Sequence, residues 1–181
     1  QVSVALLAMA LKAKNHLSKS YTAFQLGLKT DKIHGKARIN SIDTSFLNKD
    51  LKKEVVPVIT GFQGINNSGD ITTLGRGGSD TSAVALAVAL KALECRIYTD
   101  VDGVYTTDPR VYDKAKRIDK LCFEEMLELS SLGAKVLQIR SVEFASKFNM
   151  PIRVLSRFKQ GGGTLIDKED ENLENAVISG V

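Results

Sequence analysis

The chain is predicted to be an α/β layered fold around a mainly parallel sheet, and three stretches carry that prediction. Val55 to Thr60 is β-branched and continuously apolar, Ser79 to Leu93 is helical in period with small residues on every face, and Cys95 to Thr99 is a further apolar strand. Strand, glycine turn, helix and strand within about 45 residues make a crossover unit, and connections of that kind join parallel strands. Downstream, helical periods over Phe123 to Leu129 and Ala134 to Phe148 lead into a strand at Ile152 to Ser156, which repeats the alternation.

In chain order, the pattern Val2, Leu6, Leu7, Met9, Ala10 predicts an opening helix to Lys14. A short strand is expected near Ser20 to Gln25, a turn through Thr30-Asp31-Lys32, and a strand around Ala37 to Ile42. Asp43 or Thr44 supplies an N-cap for a helix from Ser45 to Lys53. Glu54 to Thr60 then has the unbroken apolar character of an interior strand covered on both faces. Gly61-Phe62-Gln63-Gly64 and a polar turn lead to Thr72-Thr73-Leu74-Gly75-Arg76-Gly77-Gly78-Ser79-Asp80, where a buried helix starts abruptly. Gly161-Gly162-Gly163 reads as a flexible break, the acidic stretch Asp167 to Glu174 as a linker, and Ala176 to Val181 as a strand cut short. The domain boundaries are therefore 1–166 for the main domain and 167–181 for a linker and the start of a further region.

Composition narrows the function classes. The 181 residues are 43% hydrophobic and 25% charged, enough to bury a core, and the net charge of +4 is spread in mixed-sign runs. With no dense basic tract and 6% aromatic residues, a nucleic-acid surface is not expected. The most apolar run, Ala83 to Leu90, is too short to cross a bilayer, so no membrane partner is expected either. Cys95 and Cys122 are far apart, show no metal spacing and sit in apolar contexts, and so read as buried thiols in a reducing, cytoplasmic setting. An opening inside a helical pattern without an initiator Met suggests a piece of a larger protein.

The P-loop pattern does not occur, and Gly75-Arg76-Gly77-Gly78-Ser79-Asp80 fails the dinucleotide pattern because Asp80 stands where a third glycine is needed. His16 and His34, the two histidines, lie near no Cys or carboxylate cluster, so they read as surface residues rather than as a zinc site or triad. No metal ligand is assigned. Phosphoryl transfer survives, since it rests on positioned positive charge and oriented amides. The glycines let backbone approach a bound group, the helix start offers unpaired amides, and Arg76 adds a fork for carboxylate or phosphate. A second loop, Thr99-Asp100-Val101-Asp102-Gly103-Val104-Tyr105-Thr106-Thr107-Asp108-Pro109-Arg110, follows a strand end. Its Asp-Gly and Asp-Pro steps suit a decorated surface turn, and its ring, carboxylates and arginine equally suit a nucleotide.

These two stretches, with Phe123-Glu124-Glu125-Met126-Leu127-Glu128-Leu129 and Gly133-Ala134-Lys135-Val136-Leu137, closely resemble the kinase domain of bacterial aspartokinases. Gly61-Phe62-Gln63-Gly64, His34-Gly35-Lys36-Ala37-Arg38-Ile39 and Gly163-Thr164-Leu165-Ile166 extend the resemblance over nearly the whole chain. It implies the amino-acid kinase fold, a three-layer α/β/α sandwich, here incomplete. It implies phosphorylation of the side-chain carboxylate of L-aspartate with ATP and Mg2+, the first step towards lysine, threonine and methionine. By position, Arg76 would grip an aspartate carboxylate, with Gly77, Gly78 and Ser79 lining the substrate side. Asp80 would organise the transfer centre, although helix capping is a sufficient reason for an Asp there. Thr99, Asp100, Tyr105, Arg110 and Lys135 match ATP contacts; spacing alone makes Lys135 a solvated helix residue.

The match departs from the family in four respects. The sequence holds no Lys-Phe-Gly-Gly-Thr-Ser-like segment, whose lysine neutralises the transferring phosphoryl group, and no substrate glutamate before Gln1 or paired regulatory ACT domains after Val181. A catalytic-domain fragment with little or no activity of its own is the expectation, by analogy with the ~10³ to 10⁵ attributed to an arginine finger. Phe24, in a segment where relatives carry small residues, is expected as a core side chain rather than part of a shifted substrate loop. Homo-oligomers or assembly with other aspartokinase chains are expected as partnerships. The competing reading is a non-catalytic nucleotide- or effector-binding module that assembles with a complete partner chain.

Overall fold

The computed structural model describes residues 1–133 and 136–169. They fall into two compact units, Gln1–Leu90 and Lys91–Val181.

In the first unit, α1 (Val2–Ala13) leads to β1 (Ser18–Tyr21), β2 (Lys29–Thr30), β3 (Ile39–Ser41), α2 (Ser45–Leu51), β4 (Val56–Ile59), β5 (Gln63–Ile65), β6 (Ile71–Thr73) and α3 (Gly78–Ala89). β1 and β4 pair in parallel from Ser18↔Val56 to Tyr21↔Ile59. A second sheet has the order β3-β2-β5-β6, with β2 and β5 parallel. Tyr21, Leu26 and Leu47 form a buried cluster against which Ile59, Leu86 and Leu90 pack, so β4 and α3 share one core with α2. That packing aims the first turn of α3 at the end of β4.

The second unit holds β7 (Cys95–Thr99), β8 (Val104–Tyr105), β9 (Arg117–Ile118), β10 (Lys120–Cys122), α4 (Phe123–Ser131), α5 (Ile139–Lys147), β11 (Ile152–Ser156) and β12 (Thr164–Asp167). Its sheet has the order β10-β12-β11-β7. β7 and β11 run parallel from Ile152↔Cys95 to Ser156↔Thr99, which brings two strand ends together at Thr99 and Ser156. Ile152, Val154 and Ile166 are fully buried, and so are Phe123 and Met126 of α4.

Several expectations are corrected. β4 is not an interior strand covered on both faces: among the described residues it pairs only with β1, and Val56 is 43% exposed. Pro57 within it has no N–H to donate, the mark of an edge. The strand expected from Ser20 to Gln25 ends at Tyr21, because Thr22 N–H donates to Gln25 Oε1 at 2.8 Å and Gln25 N–H to Thr22 Oγ1 at 3.3 Å, closing a turn. Phe24, on that turn, is 67% exposed and is not a core side chain. Gln63 to Ile65 is no turn but one arm of an antiparallel hairpin with Ile71 to Thr73. Asn66 organises its loop, its Oδ1 accepting from the N–H groups of Ser68 and Asp70 at 2.9 Å each. The helix expected from Ala134 begins at Ile139 within the described residues. Asp167, the expected start of the linker, is the last residue of β12, and the expected strand Ala176 to Val181 lies outside the described residues.

Cys95 is buried as expected, but Cys122 is only half-buried and caps α4. Its Sγ accepts from Glu125 N–H at 3.4 Å while Glu125 Oε2 accepts from Cys122 N–H at 2.8 Å. Both histidines are exposed.

Candidate functional site

In the first unit the site residues surround the start of α3. Gly77 is the N-cap residue, at φ 66° and ψ 16°, a left-handed conformation that a side chain strains. Gly78, the first helical residue, is packed so closely that a Cβ built on it would meet Leu74 Cβ at 2.8 Å and Phe62 Cδ2 at 3.0 Å. Glycine is required at both positions, for different reasons. Gly78 N–H is spent on Gly75 carbonyl oxygen at 2.9 Å, and no side chain caps the helix. The N–H groups of Ser79 and Asp80 are thereby left without an acceptor among the described residues, as a helix N-terminus leaves them.

Asp80 does not cap α3, which corrects the structural alternative for this residue; it lies in the first turn, three residues past Gly77, which holds the cap position. Burial pushes its carboxyl above the ordinary Asp value, and the Ser79 hydroxyl, donating at 3.4 Å, offsets only part of that. Arg76 is exposed, and its guanidinium is in no ion pair among the described residues. An exposed cation, free amides and a half-buried carboxylate thus meet within five residues.

Sequence reasoning passed over two residues here. Phe62 takes φ 70°, an uncommon conformation for a side-chain-bearing residue. Ser82 holds it: the Ser82 hydroxyl accepts from Phe62 N–H at 3.2 Å and donates to Ser79 carbonyl at 2.8 Å, tying the exit of β4 to the first turn of α3. A non-glycine residue between a strand and Gln63-Gly64 gave no local signal of that strain.

In the second unit Thr99 ends β7, Asp100 follows it directly, Tyr105 ends β8, and Arg110 lies in the connection beyond. Thr99 Oγ1 donates to Asp100 Oδ1 at 2.9 Å. That bond, the residue's own backbone and then the charges of Arg157 and Arg110 hold the Asp100 carboxyl below the ordinary value. Tyr105 hydroxyl donates to Asp102 Oδ1 at 2.9 Å, which lowers Asp102 and raises Tyr105. Arg110 binds Asp108 twice, Nε to Oδ1 at 3.0 Å and Nη2 to Oδ2 at 2.8 Å. Thr99, Asp100, Tyr105 and Arg110 therefore lie along one stretch from the end of β7 through β8 and past it, with the Arg110 fork occupied. Lys135 lies outside the described residues.

A cavity of about 570 Å³ opens on the sheet face beside this loop, lined by Arg96, Tyr98, Arg153, Leu155 and the turn from Ser156 to Gly162. None of the sequence-predicted residues lines it. Glu94 already pairs there with Arg96 at 2.5 Å and Arg153 at 2.9 Å. Weight therefore rests on the strand-end loops, where ligands of open α/β sheets gather, rather than on this open face.

The pattern of the amino acid kinase family matches residues 1–156. The chain belongs to that family. It is 60% identical to the aspartokinase of Pseudomonas aeruginosa over 183 aligned positions, covering all of this chain and 44% of the relative. Aspartokinase 2 of Bacillus subtilis is 50% identical over 181 positions, with the same coverage. Among solved structures, Escherichia coli aspartokinase III in complex with aspartate and ADP (R-state) is similar at TM-score 0.86 and 36% identity, covering 94% of this chain and 39% of that one. The amino acid kinase fold, α/β with a mainly parallel sheet, is thereby shown. The chain spans less than half the length of these relatives. No helix among the described residues is long and apolar enough to cross a membrane.

Proposed function

We propose that the chain is the larger, C-terminal part of an aspartate kinase catalytic domain, residues 1–167 once β12 is completed, followed at 168–181 by a linker and the start of a regulatory region. The reaction is phosphorylation of the L-aspartate side chain. A carboxylate oxygen attacks the γ-phosphorus of ATP, the bond from that phosphorus to the bridging oxygen breaks, and 4-phospho-L-aspartate and ADP leave. One observation carries the reading: 60% identity across the whole chain to a protein named aspartokinase, with the arginine-bearing glycine turn intact.

Arg76, with the backbone of Gly77, Gly78 and Ser79, would hold the aspartate carboxylate. Asp80 would organise the transferring group. Thr99, Asp100, Tyr105, Arg110 and Lys135 would hold ATP. Magnesium is held chiefly by phosphate oxygens and water rather than by protein cages. The described residues offer no group of three or more His, Cys, Asp or Glu for a metal, so Mg2+ would arrive with the nucleotide. A cytoplasmic biosynthetic enzyme that self-associates or assembles with other aspartokinase chains completes the reading.

Hydroxamate trapping of the acyl phosphate tests it. The 181-residue chain alone is expected to give little or no product, and joining it to a Lys-Phe-Gly-Gly-Thr-Ser-bearing segment is expected to restore aspartate-dependent product. Ordinary turnover by the chain alone contradicts the assigned role of that lysine. No product from the joined chain favours the non-catalytic binding module.

A further inference from the structure

Two arginines act on the exposed Asp100 carboxylate, and they differ in what else they hold. The Arg110 fork is filled by Asp108. The Arg157 guanidinium makes no hydrogen bond or ion pair among the described residues; it lies over the ring of Phe158, with Cζ 4.6 Å from the centroid. Phe158 is itself 72% exposed.

The backbone beneath Arg157 is fixed. Its N–H donates to Thr99 carbonyl at 2.9 Å, one residue beyond the Ser156↔Thr99 pair that ends the β7–β11 ladder. Ser156 Oγ then accepts from the N–H groups of Phe158 and Lys159 at 3.1 and 3.2 Å, folding the chain back. Lys159 Nζ lies 3.9 Å from Asp102 Oδ2, which ties the same turn to the nucleotide loop. The result is an arginine anchored at two parallel strand ends, set over an aromatic ring, with its donors open.

We infer that Arg157 is a nucleotide-phosphate contact and that Phe158 is the plate that holds its plane. The inference rests on the reading of the second unit as the ATP-binding part. A guanidinium stacked on a ring loses little freedom when it meets a phosphate, and its planar donors match two phosphate oxygens. Arg110, by contrast, has to share its fork with Asp108 or release it.

Calorimetric titration of the 181-residue chain with MgATP and with adenosine tests this. Arg157→Ala is expected to weaken MgATP by about 10- to 100-fold, the range of a hydrogen bond to a charged group. It should leave adenosine affinity and the thermal midpoint unchanged, and Arg157→Lys should recover part of the loss. Equal loss of MgATP and adenosine overturns a phosphate contact. A full-strength Arg157→Ala beside a weakened Arg110→Ala overturns the inference and spares the nucleotide reading. No MgATP binding by the unsubstituted chain overturns both.

Discussion

The hydroxyl of Tyr105 donates to Oδ1 of Asp102 at 2.9 Å across the Asp102-Gly103 turn. The bond is the largest cause of the lowered Asp102 carboxyl and of the raised Tyr105 phenol. Asp102 has a folded pKa below its unfolded one, so its contribution to stability is complete above the unfolded pKa and fades as pH falls through the folded one. Tyr105 shows the opposite sign: its contribution is complete below the unfolded phenol pKa and is lost as pH rises through the folded value. Tyr105→Phe is expected to move the Asp102 titration up towards the ordinary carboxylate value, followed by carboxyl-carbon NMR, and to flatten both ends of the stability profile. An Asp102 titration that does not move contradicts the assigned cause.

Asp80 separates stability from activity. Burial raises its carboxyl and no cap bond rewards it, so stability should fall as pH rises through its folded pKa. Asp80→Asn removes that fall, and thermal unfolding at pH 7 should show a midpoint equal to or above the parent's. A helix cap lost here would instead cost about 1 kcal/mol. In the chain joined to the lysine-bearing segment, the same substitution should cut acyl phosphate formation by about 100-fold or more, the scale of a misplaced reacting group.

The two glycines at the head of α3 make a stability prediction. Gly77→Ala forces a side chain into the left-handed region and should cost about 1 to 2 kcal/mol. Gly78→Ala drives a methyl into Leu74 and Phe62 and should cost about 1 to 3 kcal/mol as overpacking. Urea unfolding measures both, and a neutral Gly78→Ala would show that Phe62 yields.

What the sequence made legible was set by how local the cause is. α3 and β11 were readable because their apolar periods match the burial they receive, and the turn ahead of α3 because its glycines mark it. β4 was misplaced because its apolar run outweighed the one residue, Pro57, that marks an edge. β12 was missed because much of its support is long-range: it pairs with β10, and its Thr164 hydroxyl bonds Ile118 and Val104, 46 and 60 positions away. Phe62 and Arg157 depend on partners, Ser82 and Thr99, that no spacing rule connects to them.

Aspartate and MgATP affinities of Arg76→Ala, measured by calorimetry beside the parent chain, test the division of labour most directly. Arg76 is exposed and unpaired among the described residues, so its removal should leave folding intact. Aspartate binding should weaken about 10-fold or more, as loss of a charge-assisted bond does, with MgATP unchanged. Equal losses of both affinities, or an aspartate affinity that does not change, would contradict the account.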